Sequence, residues 1–527
     1  MANFTSKASG DWEDTGLTTW NELNSPIAGD TVTIQNGHTV TLDVPGVCAT
    51  LTIDTGGVLT DATNNQGLTV SERTQVEGTL LLGTTACSFG SGYTTEYALE
   101  VGDGGVINGG SGNWTVGSLQ CQHNTATLTM TSGICTIDST RVTAYSLIIL
   151  AGATFDNNSG TITCTGASTD LYADSSDHSL YNLTINSSNT HDLKRGMIVA
   201  NDLTITSGTF TTGGGNYDLT VAGLTSVAGT LTCNASTCSF GSGVVTTTYS
   251  LTINNGGVFV GGSGAHTVGS FCGGTGSNIT NTSGVLTLNG ENTSAGAVQI
   301  FSNAMTFDHN NGTVTCTYTG DDTIFDMGAE THYNLIINAA ATTYTLRDSG
   351  IIAGDLTITA GTFDTGVDDL TVTGNLLNAG TFTPNSSMVT LNGTAQSLTG
   401  SWTFWSFTKA ITVTDKLTFD NTATYTFGGN VTLNGTAGNI LSLASNSAGD
   451  AFDFIMSAGA VKTNLDYLAV KDSDASGSDG SQTPIAPTNS TDVSGNTDWF
   501  SGGPTPAPMT SGKGGWKAKR NIIIEGI

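Results

Sequence analysis

The hexapeptide Cys87-Ser88-Phe89-Gly90-Ser91-Gly92 returns 151 residues later as Cys238-Ser239-Phe240-Gly241-Ser242-Gly243. The likeness continues on both sides. Gly104-Gly105-Val106 recurs as Gly256-Gly257-Val258, Thr115-Val116-Gly117-Ser118 as Thr267-Val268-Gly269-Ser270, and Tyr181-Asn182-Leu183 as Tyr333-Asn334-Leu335. Leu203-Thr204-Ile205-Thr206 then matches Leu356-Thr357-Ile358-Thr359 at an offset of 153. A chain with such long-range self-similarity folds as a stack of equivalent units. The copies run over about 50–202 and 203–355, with a diverged third over about 356–498.

Inside each copy a shorter motif recurs: aliphatic-Thr-aliphatic, a polar pair, Gly, then an apolar residue. Leu51-Thr52-Ile53 with Gly56 and Val58 is one case, and Leu251-Thr252-Ile253 with Gly256 and Val258 is another. Apolar residues at every second position mark short strands with one buried face. Gly and Asn between them supply the positive φ of sharp corners. Such strands cannot bury a core singly, but stacked in register they bury a continuous apolar column. The expected fold is all-β, a solenoid of coils of roughly 20–25 residues rising about 4.8 Å each, in all a rod of about 100 Å. Its ends need covers. Residues 1–46, with Trp12 and Trp20, are expected to form an N-terminal cap, and Asn36-Gly37 between two alternating runs predicts a hairpin. The solenoid is expected over 47–498, followed by a Gly/Pro linker and tail over 499–527.

Charge excludes several functions. The chain has 14 Lys and Arg against 43 Asp and Glu, a net charge of −29, so it has no basic face for nucleic acid. No apolar run approaches the roughly 20 residues of a membrane helix, so membrane insertion is not expected. The first residues lack the apolar segment of a secretory signal, so release in the cytoplasm is expected. Nine cysteines include no CxxC pair and no Cys–His metal spacing, and they read as small buried hydrophobes.

The opening NFTSKASGDW…TTW…GDTVTIQNGHTVTLD and the closing VTLNGTAGN…LDYLAVKDSDASG…STDVSGNTDWF resemble pectate-lyase-like right-handed parallel β-helix proteins of the tailed-phage type. The resemblance implies a virion fibre, decoration protein or tail spike. It places the protein on a particle assembled in the host cytoplasm, with other virion proteins as partners, a homo-oligomer such as a trimer, and host surface glycan as a further partner. No catalytic motif of the family can be placed on the sequence. A polysaccharide depolymerase acting through paired carboxylates is the alternative. A bacterial surface adhesin, extracellular rather than virion-borne, is the third reading, and the missing export signal counts against it.

Four residue groups are candidates for chemistry or binding. Asp321, Asp322 and Asp326 with Asp364, Asp368 and Asp369 could meet on adjacent coils as a glycosidase pair, or serve as turn residues. Trp402 and Trp405 are candidates for stacking on a sugar, while Phe404 and Phe407 read as core. Asp472, Asp474 and Asp479 imitate the start of a calcium loop without its closing Glu, so a structural calcium is the one cofactor considered and none is expected elsewhere. The seven histidines are scattered and read as solvated turn residues. The fourth group is the tail. Lys513, Lys517, Lys519 and Arg520 precede Ile522, Ile523 and Ile524, a basic and β-prone segment expected to dock on an acidic partner or an open strand edge.

Overall fold

The computed structural model describes residues 1–139, 145–167, 169–174 and 178–501. Their regular structure is all β, arranged as a parallel solenoid of about 21 turns. Three columns of stacked strands form its walls. The first rises through Thr31–Ile34, Thr50–Ile53, Thr74–Val76 and Leu99–Val101. The second includes Thr39–Thr41, Val58–Thr60 and Thr79–Leu81. The third includes Gly46–Cys48, Leu68–Val70, Cys87–Phe89 and Trp114–Val116. The two-residue period dictates this arrangement. In Thr50–Ile53, Leu51 and Ile53 are buried while both threonines face outward. Leu51 then stacks on Val32 below, and Thr50 Oγ1 donates to Thr31 Oγ1 at 3.0 Å.

The corners depend on particular glycines. Leu203–Thr211 and Leu356–Asp364 each bend through a corner without losing strand character, at Gly208 (φ +73) and Gly361 (φ +84). An added Cβ would collide with the carbonyl oxygen of Ser187 at Gly208 and of Ala339 at Gly361.

The long repeat turns out not to be a whole number of turns. Seven stacking steps separate the strand of Cys87 from that of Leu251 in the third column. Cys238, the repeat equivalent of Cys87, stands one column before Leu251 on the same turn. Each copy therefore spans six and two-thirds turns, and equivalent residues move to the neighbouring face. The same shift carries Tyr181-Asn182-Leu183 from the third column to Tyr333-Asn334-Leu335 in the second.

The N-terminal region departs from expectation. Asn36-Gly37 does not close a hairpin: Thr31–Ile34 and Thr39–Thr41 lie on different columns and pair in parallel with different neighbours. A corner of the coil also uses positive φ, here +79 at Gly37, so the dipeptide alone does not distinguish the two. Coils accordingly begin within the expected cap, already at Asn3–Thr5. The cover itself is a cluster of Phe4, Trp12 and Trp20, with Trp20 edge-on to both others. Beneath it the Asp14 carboxylate accepts the N–H groups of Thr18, Thr19 and Trp20. At the other end Trp499 is buried against Phe454, and its Nε1 donates to Ser473 Oγ at 2.9 Å.

Candidate functional site

The acidic candidates divide between two corners of the rod and form no pair on adjacent coils: Asp321 and Asp322 precede the strand Thr323–Asp326, while Asp326, Asp364, Asp368 and Asp369 stand at or beyond the ends of third-column strands. Asp326 ends the strand Thr323–Asp326, which stacks on Tyr344 to Arg347, which in turn stacks on Phe363 and Asp364. Asp326 and Asp364 stand two turns apart, about 9.6 Å along the rod axis. The coil between them contributes Arg347 and Asp348. Most of these carboxylates already accept backbone N–H groups, of their own turn or of the neighbouring coil. Asp322 accepts the Thr343 N–H at 2.8 Å, Asp364 accepts the Gly366 N–H at 2.7 Å and an Asn385 amide, and Asp369 accepts the Met388 N–H at 2.7 Å. Asp326 is the buried member. It accepts the Gly328 N–H at 2.8 Å and lies 3.5 Å from Arg347. Burial, with the nearby charge of Asp348, pushes its carboxyl above the ordinary range despite Arg347. Asp368 is raised by burial first, then by the charges of Asp348 and Asp369. Asp348 thus acts on both acids, and as a lone Asp after Arg347 it carried no signal in the sequence.

The aromatic platform does not form. Trp402 is buried, stacks on Phe404 and donates Nε1 to Thr399 O at 3.1 Å, which leaves Trp405 alone at the surface. Phe404 and Phe407 are core, as their positions predict. The calcium candidates make separate contacts: Asp472 accepts the Gly449 N–H of the coil below, while Asp474 and Asp479 accept the N–H groups of Ser476 and Ser481 within their own turns. Lys513, Lys517, Lys519, Arg520 and Ile522–Ile524 lie outside the described residues.

The histidines correct the sequence reading. His178, His191, His266 and His332 are buried, and His178, His266 and His332 each pack against a phenylalanine ring. His332 packs between Phe301, Phe307 and Phe325, and burial, then the nearby His309, lowers its pKa to about 3.

Around His266 the interior carries reactive groups. Cys233, Cys238 and His266 are buried, and their ligand atoms lie within 4.8 Å of one another. Cys238 and His266 are stacked partners in the second column, while Cys233 follows the first-column strand Thr230–Thr232. Contact with the Cys233 sulfur, then with the His266 ring, holds the Cys238 thiol below its ordinary range against the effect of burial. Cys233 is pushed up, chiefly by burial. The intervals of 5 and 28 residues match no linear metal motif, so only the coil geometry reveals the group. All nine cysteines are unpaired, and eight are buried.

On the outer face of the first column, Arg73 bridges Glu96 at 2.9 Å and Glu100 at 2.6 Å. A groove of about 250 Å³ beside it is lined by Thr50, Thr52, Gln75 and Tyr93. These ladder residues are the outward ones of successive coils, and Tyr93 comes from a longer corner segment.

A family model described as the G8 domain matches residues 19–96, which hold part of the N-terminal cover and the coils up to the Arg73 groove. Neither the curated proteins nor the solved structures compared with the chain include a match.

Proposed function

We propose that this protein is a non-enzymatic structural rod, a fibre or decoration protein of a phage particle that mediates assembly or surface attachment. One observation carries the proposal: the stacked coils continue through about 21 turns with an aromatic cover at each end. A finished rod with covered ends is a stiff spacer that does not polymerise through its strand edges. Its outward threonines and asparagines form a polar flank. A net charge of −29 disfavours association of its flanks with one another. The tail at 509–527 supplies the attachment, through its four basic residues and three isoleucines, to another virion protein or a like subunit. Mass spectrometry of purified particles tests this, with the protein expected among the particle components and its absence overturning the reading. Removing 509–527 is expected to leave the thermal transition of the rod unchanged while abolishing incorporation.

A second reading, a depolymerase, draws on the raised acids Asp326 and Asp368 around Asp348. Reducing-end release from host surface glycan, lost in Asp326→Asn, would establish it in place of the first.

A further inference from the structure

We propose that Cys233, Cys238 and His266 form an interior binding site for one monovalent soft metal ion, Cu(I). The argument begins with the imidazole. His266 Nε2 lies 2.6 Å from the carbonyl oxygen of Gly261. A carbonyl only accepts, so Nε2 carries the hydrogen, and in the neutral ring Nδ1 is left with its lone pair. This Nδ1 is buried and makes no hydrogen bond. A carbonyl that fixes the tautomer while the other nitrogen points at a ligand position is the arrangement that orients metal-bound histidines. Nδ1 of His332 is also buried and without a hydrogen bond, but no sulfur joins it in a group of this kind among the described residues.

The repeat supplies an internal comparison. The positions equivalent to Cys233, Cys238 and His266 in the first copy are Leu82, Cys87 and Trp114. Both sets occupy the same local frame. The Leu82 N–H donates to Asn108 O as that of Cys233 donates to Val260 O, and Cys87 stacks on Trp114 as Cys238 stacks on His266. The coil therefore accommodates two bulky side chains that are not metal ligands there, Leu82 and Trp114, both buried. In the second copy both are replaced by donors that converge on the retained cysteine.

The donor set selects the ion. Two sulfurs and one imidazole are soft and borderline ligands, suited to Cu(I) or Zn(II). Zinc requires a fourth ligand, and among the described residues no further His, Cys, Asp or Glu joins the group. Both cysteines bind as thiolates, because the thiolate and not the thiol is the metal ligand. Loading therefore releases both thiol protons, and the ion enters while the coils close during folding.

The test uses the full chain, produced in copper-supplemented cells and purified anaerobically in the presence of bathocuproine disulfonate as a Cu(I) competitor. The expected result is one copper per chain, with sulfur and imidazole in its X-ray absorption shell. The double substitution Cys233→Leu and His266→Trp restores the residues of the first copy. It should keep the circular dichroism spectrum and lower retained copper at least tenfold, while Cys272→Ser keeps copper unchanged. Copper-free native chain, equal copper in the double variant, zinc in place of copper, or a Cys233–Cys238 disulfide in the purified chain would each overturn the proposal.

Discussion

The buried His332 shows how strongly a single side chain can couple this rod to pH. In the folded chain its ring stays neutral down to about pH 3, because burial among three phenylalanines disfavours the cation. In the unfolded chain the same ring takes up a proton near pH 6.5. Below that value the unfolded state binds the extra proton, so stability is complete above about pH 6.5 and falls as pH drops toward 3. The slope is about 1.4 kcal/mol per pH unit for one proton. His332→Phe should remove about one proton from the slope between pH 6.5 and 5, read from urea midpoints. Gln299, which contacts the ring at 3.2 Å, keeps its 2.9 Å bond to Asp326 O in that variant. An unchanged slope would show that His332 is protonated in the native rod. The interior position of this histidine was not legible in the sequence, where scattered polar residues look alike on either face of a three-residue strand. The Cys233–Cys238–His266 group was hidden for a related reason: its members meet only after a full turn of the coil. Asp348 was missed because its two acidic neighbours come from the turns below and above.

At the scale of the strand and its corner, far more was readable. Leu51-Thr52-Ile53 announced both its inward and outward faces, and the structure buries Leu51 and Ile53 as the alternation requires. What alternation does not encode is the partner of each strand, which is why Asn36-Gly37 reads as a hairpin and serves as a corner. The glycines carry a separable prediction. At Gly256, φ is +78 and an added Cβ would meet nothing within 4 Å. Gly256→Ala should therefore cost only the left-handed backbone strain, about 1–2 kcal/mol. Gly208→Ala adds a collision with the backbone of the coil below, which no side-chain rotation relieves, so its loss should exceed that of Gly256→Ala clearly. Chemical denaturation of the two variants side by side checks this, and equal losses would show that the coil below yields without cost.

For the whole molecule, the decisive quantity is the mismatch between repeat and turn. A copy of six and two-thirds turns places the same sequence on successive faces, so three copies would return to the first face after twenty turns. The sequence around Leu203-Thr204-Ile205 bends from the third column to the first, while that around Leu356-Thr357-Ile358 bends from the second to the third. Both do so with the same strand length and the same left-handed glycine. The local sequence thus specifies a corner and a strand, and two different edges of the rod accept it. Stability in such a stack is a sum over neighbouring coils. Removing residues 203–355 joins Asp202 to Leu356, which then takes over the third-column place of Leu203 and shifts everything beyond it by one face. The shortened chain should fold, keep its far-ultraviolet spectrum and lose about 32 Å of length, six and two-thirds rises of about 4.8 Å. Small-angle scattering gives that length directly. If the edges differ in what they accept, the shifted coils cannot close, and the deletion will yield aggregate instead of a shorter rod.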